Sequence, residues 1–397
     1  LPTEAWLNAA LLFAVFAGHC ELMAAWCNRF HGLKVRHRVT AKVRAVHDLL
    51  VFGAIPGLLF GFGLFGYRLL RGGEWSAVPW GWKAYFALCG LGVISLLVCT
   101  ARNLFRPLPT GVRREGRRID VTAELGFKPI GTGRRRHQAA APWNGQFTLE
   151  AVELELTLPD LPPGWDGATI GHVSDSHFQG EVGLPFFERA FTELAAWRCD
   201  LYVFTGDLLD KPARIDWIAP TFGQLTATNP AFGCRFILGN HDWHYDVAPL
   251  RAAMTAAGWG DVSGRVETLL RGGDPLALAG DESPWLNGPP DWSQAPPDAF
   301  RLLLAHTPDL YPRAKREGVN LMLAGHNHGG QITLPLIGPV YAPSQHGVRH
   351  AGGTYREGAL LMHVSRGLSG RQPLRYGAVP EVTRITLRRP DDRANGA

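Results

Sequence analysis

The sequence predicts an α/β or layered α+β domain, preceded by an N-terminal helical membrane anchor. Three observations carry that reading. The N-terminal third contains uncharged apolar runs of membrane-spanning length; from residue 150 short apolar runs alternate with helical stretches; and five of those runs end in Asp, His, Asn or Gly. At 397 residues the chain is also too long for one ordinary core.

The anchor is expected over residues 1–105. LLVFGAIPGLLFGFGLFGY at 49–67 gives 19 residues without a charge, and AYFALCGLGVISLLVCTA at 84–101 gives 18. Each is long enough to cross a bilayer, and the Gly and Pro in the first are ordinary in a membrane span. Residues 5–27 are a possible third span, interrupted by His19 and Glu21, which are expected at membrane-interface or helix-packing positions. Six Lys or Arg flank the pair of spans at 28–48 and six more at 102–118, against Arg68, Arg71 and Lys83 between them. A two-span hairpin puts both basic flanks on one side, which the positive-inside rule makes cytoplasmic. A signal peptide is a poor description of spans so long and so far along the chain.

Charge divides the chain. Residues 1–137 carry 19 Lys and Arg against 7 Asp and Glu, and residues 138–397 carry 21 against 28. Positive charge therefore belongs to the leader, which argues against nucleic-acid binding by the folded module. Residues 106–146 read as a basic linker containing Gly and Pro, either attracted to anionic lipid headgroups by about 1 kcal/mol per charge or simply solvated. A catalytic domain is expected over 147–390 and a tail over 391–397. The six cysteines show no CxxC pair or zinc-ribbon spacing, so no disulfide framework is expected.

Within the domain, Pro185 to Trp197 reads as a helix with Phe187, Phe191, Leu194 and Trp197 on one face and Pro185 in its first turn. The strand ends are more informative. ATIGHV runs into Asp175 and His177, LYVFT into Gly206 and Asp207, and RFIL into Gly239, Asn240, His241 and Asp242. RLLLA meets His306, and LMLA meets Gly325, His326 and His328. Ligands of open α/β sheets bind outside the carboxyl ends of strands, so these residues should converge. One His-x-His could be a solvated loop, Asp175 or Asp207 a helix cap, Asn240 a turn residue and His306 a core histidine. Five at the same topological position point to metal. Asp, His and Asn without thiolate suit Mn, Fe or Zn, in a number sufficient for two ions that would clamp an in-line displacement at phosphorus.

The order D-x-H, G-D, G-N-H-D, H, G-H-x-H resembles that of the calcineurin-like metallophosphoesterases. GHNHGGQ and the late HVSRGLSGRQPLRYGAVPEVTRITL resemble their membrane-associated bacterial subgroup, which includes a UDP-2,3-diacylglucosamine hydrolase of lipid A biosynthesis. The resemblance implies a layered α/β sandwich of two mixed β-sheets flanked by helices, in agreement with the strand ends, and two divalent ions, Mn first with Fe and Zn as alternatives. Asp175, His177, Asp207 and His328 would surround one, and Asn240, His306 and His326 the second, with Asp207 bridging. It also implies a hydroxide nucleophile between the ions, His241 as transition-state stabiliser or acid, and Asp242 as its orienting partner. The implied location is the bacterial inner membrane, with the catalytic domain in the cytoplasm.

The 64 residues between His241 and His306 include ESPWLNGPPDWSQAPPDAF, expected as a loop over the site. Trp243, Trp285 and Trp292 would either contact an acyl chain or base, or pack the loop onto its sheet. Arg349, Arg366 and Arg371 would either pair with a second substrate phosphate or form surface salt bridges. His172 is expected to be structural. The function expected is hydrolysis of a phosphodiester or pyrophosphate, on a lipid-linked substrate such as UDP-2,3-diacylglucosamine. A soluble nucleotide or other diester is the alternative substrate, and a membrane-tethered scaffold on a degenerate domain is the non-enzymatic alternative.

Overall fold

The structure is a computed structural model that describes residues 3–390; the expected tail at 391–397 lies outside them. The chain divides into two compact units, Leu1–Arg106 with Pro335–Arg349, and Pro107–Leu334 with His350–Ala397.

The first unit is built on helices α1 (Thr3–His31), α2 (His37–Pro56) and α3 (Trp80–Phe105). After Pro56 the chain widens into π-helical turns over Gly57–Leu64. Three stretches, Glu4–His31, Arg38–Arg71 and Trp80–Phe105, are long and apolar enough to cross a membrane by length and composition. Small residues bring α1 and α3 together: a Cβ on Gly18 would lie 1.9 Å from Cys89 O, and one on Gly92 would lie 2.4 Å from Gly18 O. Two polar side chains of α1, His19 and Glu21, are spent between helices. His19 meets Tyr85 Oη at 2.5 Å and Leu50 O at 3.1 Å, and Ser95 Oγ donates to Glu21 at 2.9 Å.

The second unit contains β1 (Val112–Asp120), α4 (Val121–Leu125), α5 (Arg136–Ala139), β2 (Thr148–Thr157), β3 (Thr169–Val173), α6 (Leu184–Ala196) and β4 (Leu201–Thr205). It continues through α7 (Ile218–Thr226), β5 (Cys234–Ile237), α8 (Val247–Ala256), β6 (Trp259–Asp261), β7 (Val266–Arg271), β8 (Asp274–Asp281) and β9 (Phe300–Ala305). Then come α9 (Tyr311–Arg316) and β10 (Leu321–Ala324). The two-residue strand β11 (Thr333–Leu334) stands outside both large sheets, the two-residue strand β12 (Gly338–Pro339) belongs to the first unit, and β13 (Gly353–Glu357), β14 (Leu360–Val364) and β15 (Glu381–Arg388) complete the second. One sheet has the order β1-β2-β15-β3-β4-β5-β6 and the other β13-β14-β10-β9-β8-β7. Both are mixed, as expected, and the strands that feed the site, β3-β4-β5 and β9-β10, run parallel to their neighbours in those sets.

Burial on both faces explains why these strands read as unbroken apolar runs. Along β4, Leu201 and Val203 join the core between the sheets, whereas Tyr202 and Phe204 join the core under α6, α7 and α8. Along β9, Leu302 and Leu304 face the inter-sheet core, and Leu303 and Ala305 the core near α9. Helix α6 buries Phe186, Phe187, Phe191 and Leu194. Truncating any one of these phenylalanines to Ala is expected to destabilise the domain by about 3–5 kcal/mol.

The region expected as a basic linker differs. Its residues 112–120 form β1, paired antiparallel with β2 from Val112↔Leu156 to Asp120↔Thr148. Its arginines meet carboxylates: Arg113 lies 3.6 Å from Glu155, Arg114 2.8 Å from Glu150, and Arg117 pairs with Glu193. A charged edge strand looks like a linker by composition because its partners lie 36 to 76 positions away.

Candidate metal centre

Five strand ends deliver side chains to one place. The loop after β3 stays paired with the loop after β4 beyond the sheet, through Asp175 N–H to Gly206 O at 2.9 Å and His177 N–H to Asp207 O at 3.0 Å. Asp175, His177, Asp207, His326 and His328 all have φ between +45° and +72°. Left-handed conformations are strained for such residues and persist only where surrounding structure holds them, as at ligand clamps. The glycines serve close approach. A Cβ on Gly239 would lie 2.3 Å from Asp207 Oδ1, and one on Gly325 2.0 Å from Ser174 Oγ.

Three sets of potential ligand atoms lie within 4.8 Å of one another: Asp175, His177 and His328; His177, Asp207 and His241; and Asp207, His306 and His326. Asp207 stands between the outer sets, with Oδ2 3.3 Å from His177 Nε2 and Oδ1 3.3 Å from His306 Nε2. Asp175 Oδ1 lies 3.9 Å from both His177 Nε2 and His328 Nε2.

The arrangement fits cations. His306 Nδ1 donates to Thr205 O at 2.8 Å, which leaves Nε2 as a lone pair. That lone pair faces two acceptors, Asn240 Oδ1 at 2.9 Å and the Asp207 carboxylate, with His326 Nδ1 also 3.1 Å away. His177 repeats the pattern: Nδ1 donates to Asp210 Oδ2 at 3.0 Å, and Nε2 is buried without a hydrogen-bond partner. Opposed lone pairs in a dry pocket need a positive charge among them. In the bare chain a proton supplies it: burial opposes charge on His306, but the adjoining Asp207 carboxylate outweighs burial and pushes the imidazole up to about 9.

His241 is oriented by Asp210, not Asp242. Its Nδ1 lies 2.5 Å from Asp210 Oδ1, while the other oxygen of Asp210 receives His177. Asp242 instead turns inward and accepts N–H groups of Leu208 at 3.0 Å, Leu209 at 3.3 Å and Gly239 at 2.8 Å, pinning the β4 and β5 loops together. The resemblance implied the pairing with Asp242, but the 3-10 turn at Asp242–His244 points neighbouring side chains apart. Burial disfavours a charged His241, yet Asp210 and Asp207 outweigh it and push the imidazole up to about 9. Burial also opposes charge on Asp210, but His241 and His177 hold its carboxyl far below the usual carboxylate range.

A model of the calcineurin-like phosphoesterases matches residues 168–330. The uncharacterised metallophosphoesterase YkuE of Bacillus subtilis is 34% identical over 247 residues, covering 60% of this chain and 86% of YkuE. The chain belongs to the calcineurin-like phosphoesterase family. Two further relatives are more distant. Phosphodiesterase YaeI of Escherichia coli is 28% identical, covering 54% of this chain and 80% of YaeI. UDP-2,3-diacylglucosamine pyrophosphatase LpxG of Chlamydia muridarum is 24% identical, covering 59% and 88%. Family membership makes the chain a phosphoester hydrolase.

In this calcineurin-like domain the other expected contacts separate. Trp285, buried in the loop after β8, lies with its ring centroid 5.7 Å from His306 and 5.1 Å from His326, so that loop does reach the site. Trp292 donates to Glu317 at 3.1 Å within another core and is not at the site. Trp243 follows Asp242, half-buried beside His244. Arg366 is half-buried and paired with Glu150 and Glu381, which neutralise it, so its charge is answered within the domain. Arg349 belongs to the unit of apolar helices. Arg371 is exposed, and its positive charge acts on His241.

Two supports escaped the sequence reading besides Asp210. Arg375 is fully buried and donates to His328 O at 2.9 Å, Arg366 O at 2.7 Å and Ser369 O, fixing the last metal loop by its carbonyl. Ser369 N–H reaches Asp175 O at 2.9 Å, so the late HVSRGLSGRQPLRYG stretch braces the first motif. Asp210 had one available signal, an acid three positions beyond Asp207 on the same loop. Arg375 had none, since its acceptors are backbone atoms.

Proposed function

We propose that the chain hydrolyses a phosphodiester or pyrophosphate bond with two divalent ions, Mn in the native protein, on a lipid-linked substrate presented at the cytoplasmic face of a membrane. Asp175, His177, Asp207 and His328 would hold one ion, and Asp207, Asn240, His306 and His326 the other. The observation that carries this reading is the set of opposed lone pairs around the two oxygens of Asp207.

Such ions supply Lewis-acid stabilisation of phosphoryl oxygens and lower the pKa of water into the neutral range. The rest falls to side chains. His241, with Nδ1 committed to Asp210, presents Nε2 to donate a proton to the leaving oxygen, and the Asp210 carboxylate favours the protonated ring. Trp285 covers His306 and His326 and limits water on that side. Arg371 offers positive charge beside His241 for a second phosphate.

The three apolar helices and the likeness to LpxG, a UDP-2,3-diacylglucosamine pyrophosphatase, support a lipid-linked substrate. The concentration of Arg and Lys at 28–48 and 102–118 supports the cytoplasmic orientation. Likeness to phosphodiesterase YaeI supports a simpler diester as the second reading. Purified full-length protein with Mn and UDP-2,3-diacylglucosamine is expected to release UMP. Rapid turnover of a soluble diester with no UMP from the lipid would refute the lipid reading, and a metal-free, inert protein after purification with Mn would refute the enzyme itself.

A further inference from the structure

Residues 332–344 read ITLPLIGPVYAPS, thirteen positions without a charged side chain. From Pro335 to Arg349 this stretch belongs to the compact unit of the three apolar helices. Asn28, in the last turn of α1 and 3% exposed, donates from Nδ2 to Val340 O at 3.3 Å and accepts Ala342 N–H on Oδ1 at 3.2 Å. Asn103, near the end of α3, donates to Ile337 O at 3.3 Å. Tyr341 stands edge-on to His31 with centroids 5.8 Å apart. Gly32, just beyond α1, admits no side chain, since a Cβ would lie 2.6 Å from Gln345 N.

An irregular loop in water leaves its carbonyls to the solvent. Here carboxamide side chains from two helix ends satisfy Ile337 O, Val340 O and Ala342 N–H, as non-helical backbone requires at membrane depth. Leu336 is 74% exposed at φ +66°, a conformation that a branched apolar side chain rarely adopts. Val340 is 38% exposed. The helix ends that hold the loop are basic: Arg29 on α1, Lys34, Arg36 and Arg38 in the turn to α2 and its start, and Arg102 on α3. An apolar projection ringed by cations is the composition of a segment lying in the bilayer interface. An identical copy would bring the same cations together, so charge favours anionic lipid as the occupant.

We propose that residues 335–343 form an interfacial membrane-contact loop, which Asn28 and Asn103 brace against the ends of α1 and α3 so that Leu336 and Val340 enter the headgroup–acyl boundary. The proposal rests on the three helices spanning a bilayer. Pro335 follows His328 by seven positions, so the segment that supplies the last expected metal ligand is continuous with the lipid contact.

The test uses the full chain in vesicles of phosphatidylethanolamine and phosphatidylglycerol, with an environment-sensitive NBD label on Leu336→Cys. Thr255→Cys on exposed α8 is the aqueous control, and the unsubstituted chain is the background for its own thiols. Blue-shifted emission at 336, quenched by lipids carrying a shallow doxyl group, with a water-like signal at 255, is the expected result. Water-like emission at 336 in protein that resists carbonate extraction would overturn the loop alone. A blue shift without doxyl quenching would also overturn it, in favour of a second copy or another protein. Protein stripped from vesicles by carbonate would overturn the membrane-spanning reading and the loop with it.

Discussion

Asp210 carries two histidines on one carboxylate, and its charge works differently on each. On His177 it fixes the tautomer that frees Nε2, and on His241 it favours the protonated ring. Asp210→Asn keeps the volume, removes the charge and leaves one acceptor oxygen for two rings. We expect turnover to fall by about 10²-fold or more and metal affinity to fall by about 10-fold or more. His241→Gln should reduce turnover similarly but leave metal affinity within about threefold, because His241 is not an expected ligand and the expected ligands retain their partners. Metal titration of both variants beside steady-state kinetics in excess Mn checks the pair; equal metal binding by Asp210→Asn and the parent would sink the dual role.

At the scale of elements, the glycine that ends β10 does more than permit a turn. Gly325 does not have a positive φ; what excludes a side chain is space, with Ser174 Oγ 2.0 Å and Asp175 Oδ2 2.3 Å from an added Cβ. Asp175 also accepts His326 N–H at 3.1 and 3.0 Å, so Gly325→Ala would push one metal loop off the other. Loss of bound metal with retained cooperative unfolding is expected, whereas Gly223→Ala on α7, where nothing lies within 4 Å, should be neutral or stabilise by about 0.5–1 kcal/mol. Metal analysis and thermal melts of the two variants decide it, and full metal content in Gly325→Ala would contradict the packing argument. The ends of β3, β4, β5, β9 and β10 were legible because doubly buried strands are continuous apolar runs that stop where chemistry begins. Strand β1 was illegible because its charges are answered across the sheet. The choice of Asp210 over Asp242 was illegible because turn geometry, not adjacency, decides where a carboxylate points. Nor could sequence show that Pro335–Arg349 joins the helices, for the contacts of Asn28 reach more than 300 positions along the chain.

At the scale of the whole phosphoesterase unit, the two sheets meet through a pair of neutral histidines. His172 on β3 and His363 on β14 are both buried, with ring centroids 5.6 Å apart. From His172 a hydrogen-bonded line runs through Thr205 Oγ1 at 2.9 Å and Ser174 Oγ at 2.8 Å to Asp175 Oδ2 at 2.6 Å. Burial first, and the neighbouring His363, push His172 down to about 3; burial, then Arg366 and Arg114, push His363 down to about 3. Unfolded, each would titrate near 6.5, so between pH 6.5 and 3 the unfolded chain binds more protons than the folded one. Stability contributed by keeping these rings neutral is therefore complete above pH 6.5 and declines as pH falls, by about 2 kcal/mol per ring at pH 5. His363→Leu removes one ring from that linkage. Full-length parent and variant in detergent, melted between pH 7.5 and 5, should differ in slope: the parent loses about 2 kcal/mol more than the variant on acidification, whatever their stabilities at neutral pH. Parallel losses would mean that the inter-sheet histidines take up protons without opening the sandwich, and the linkage would be refuted.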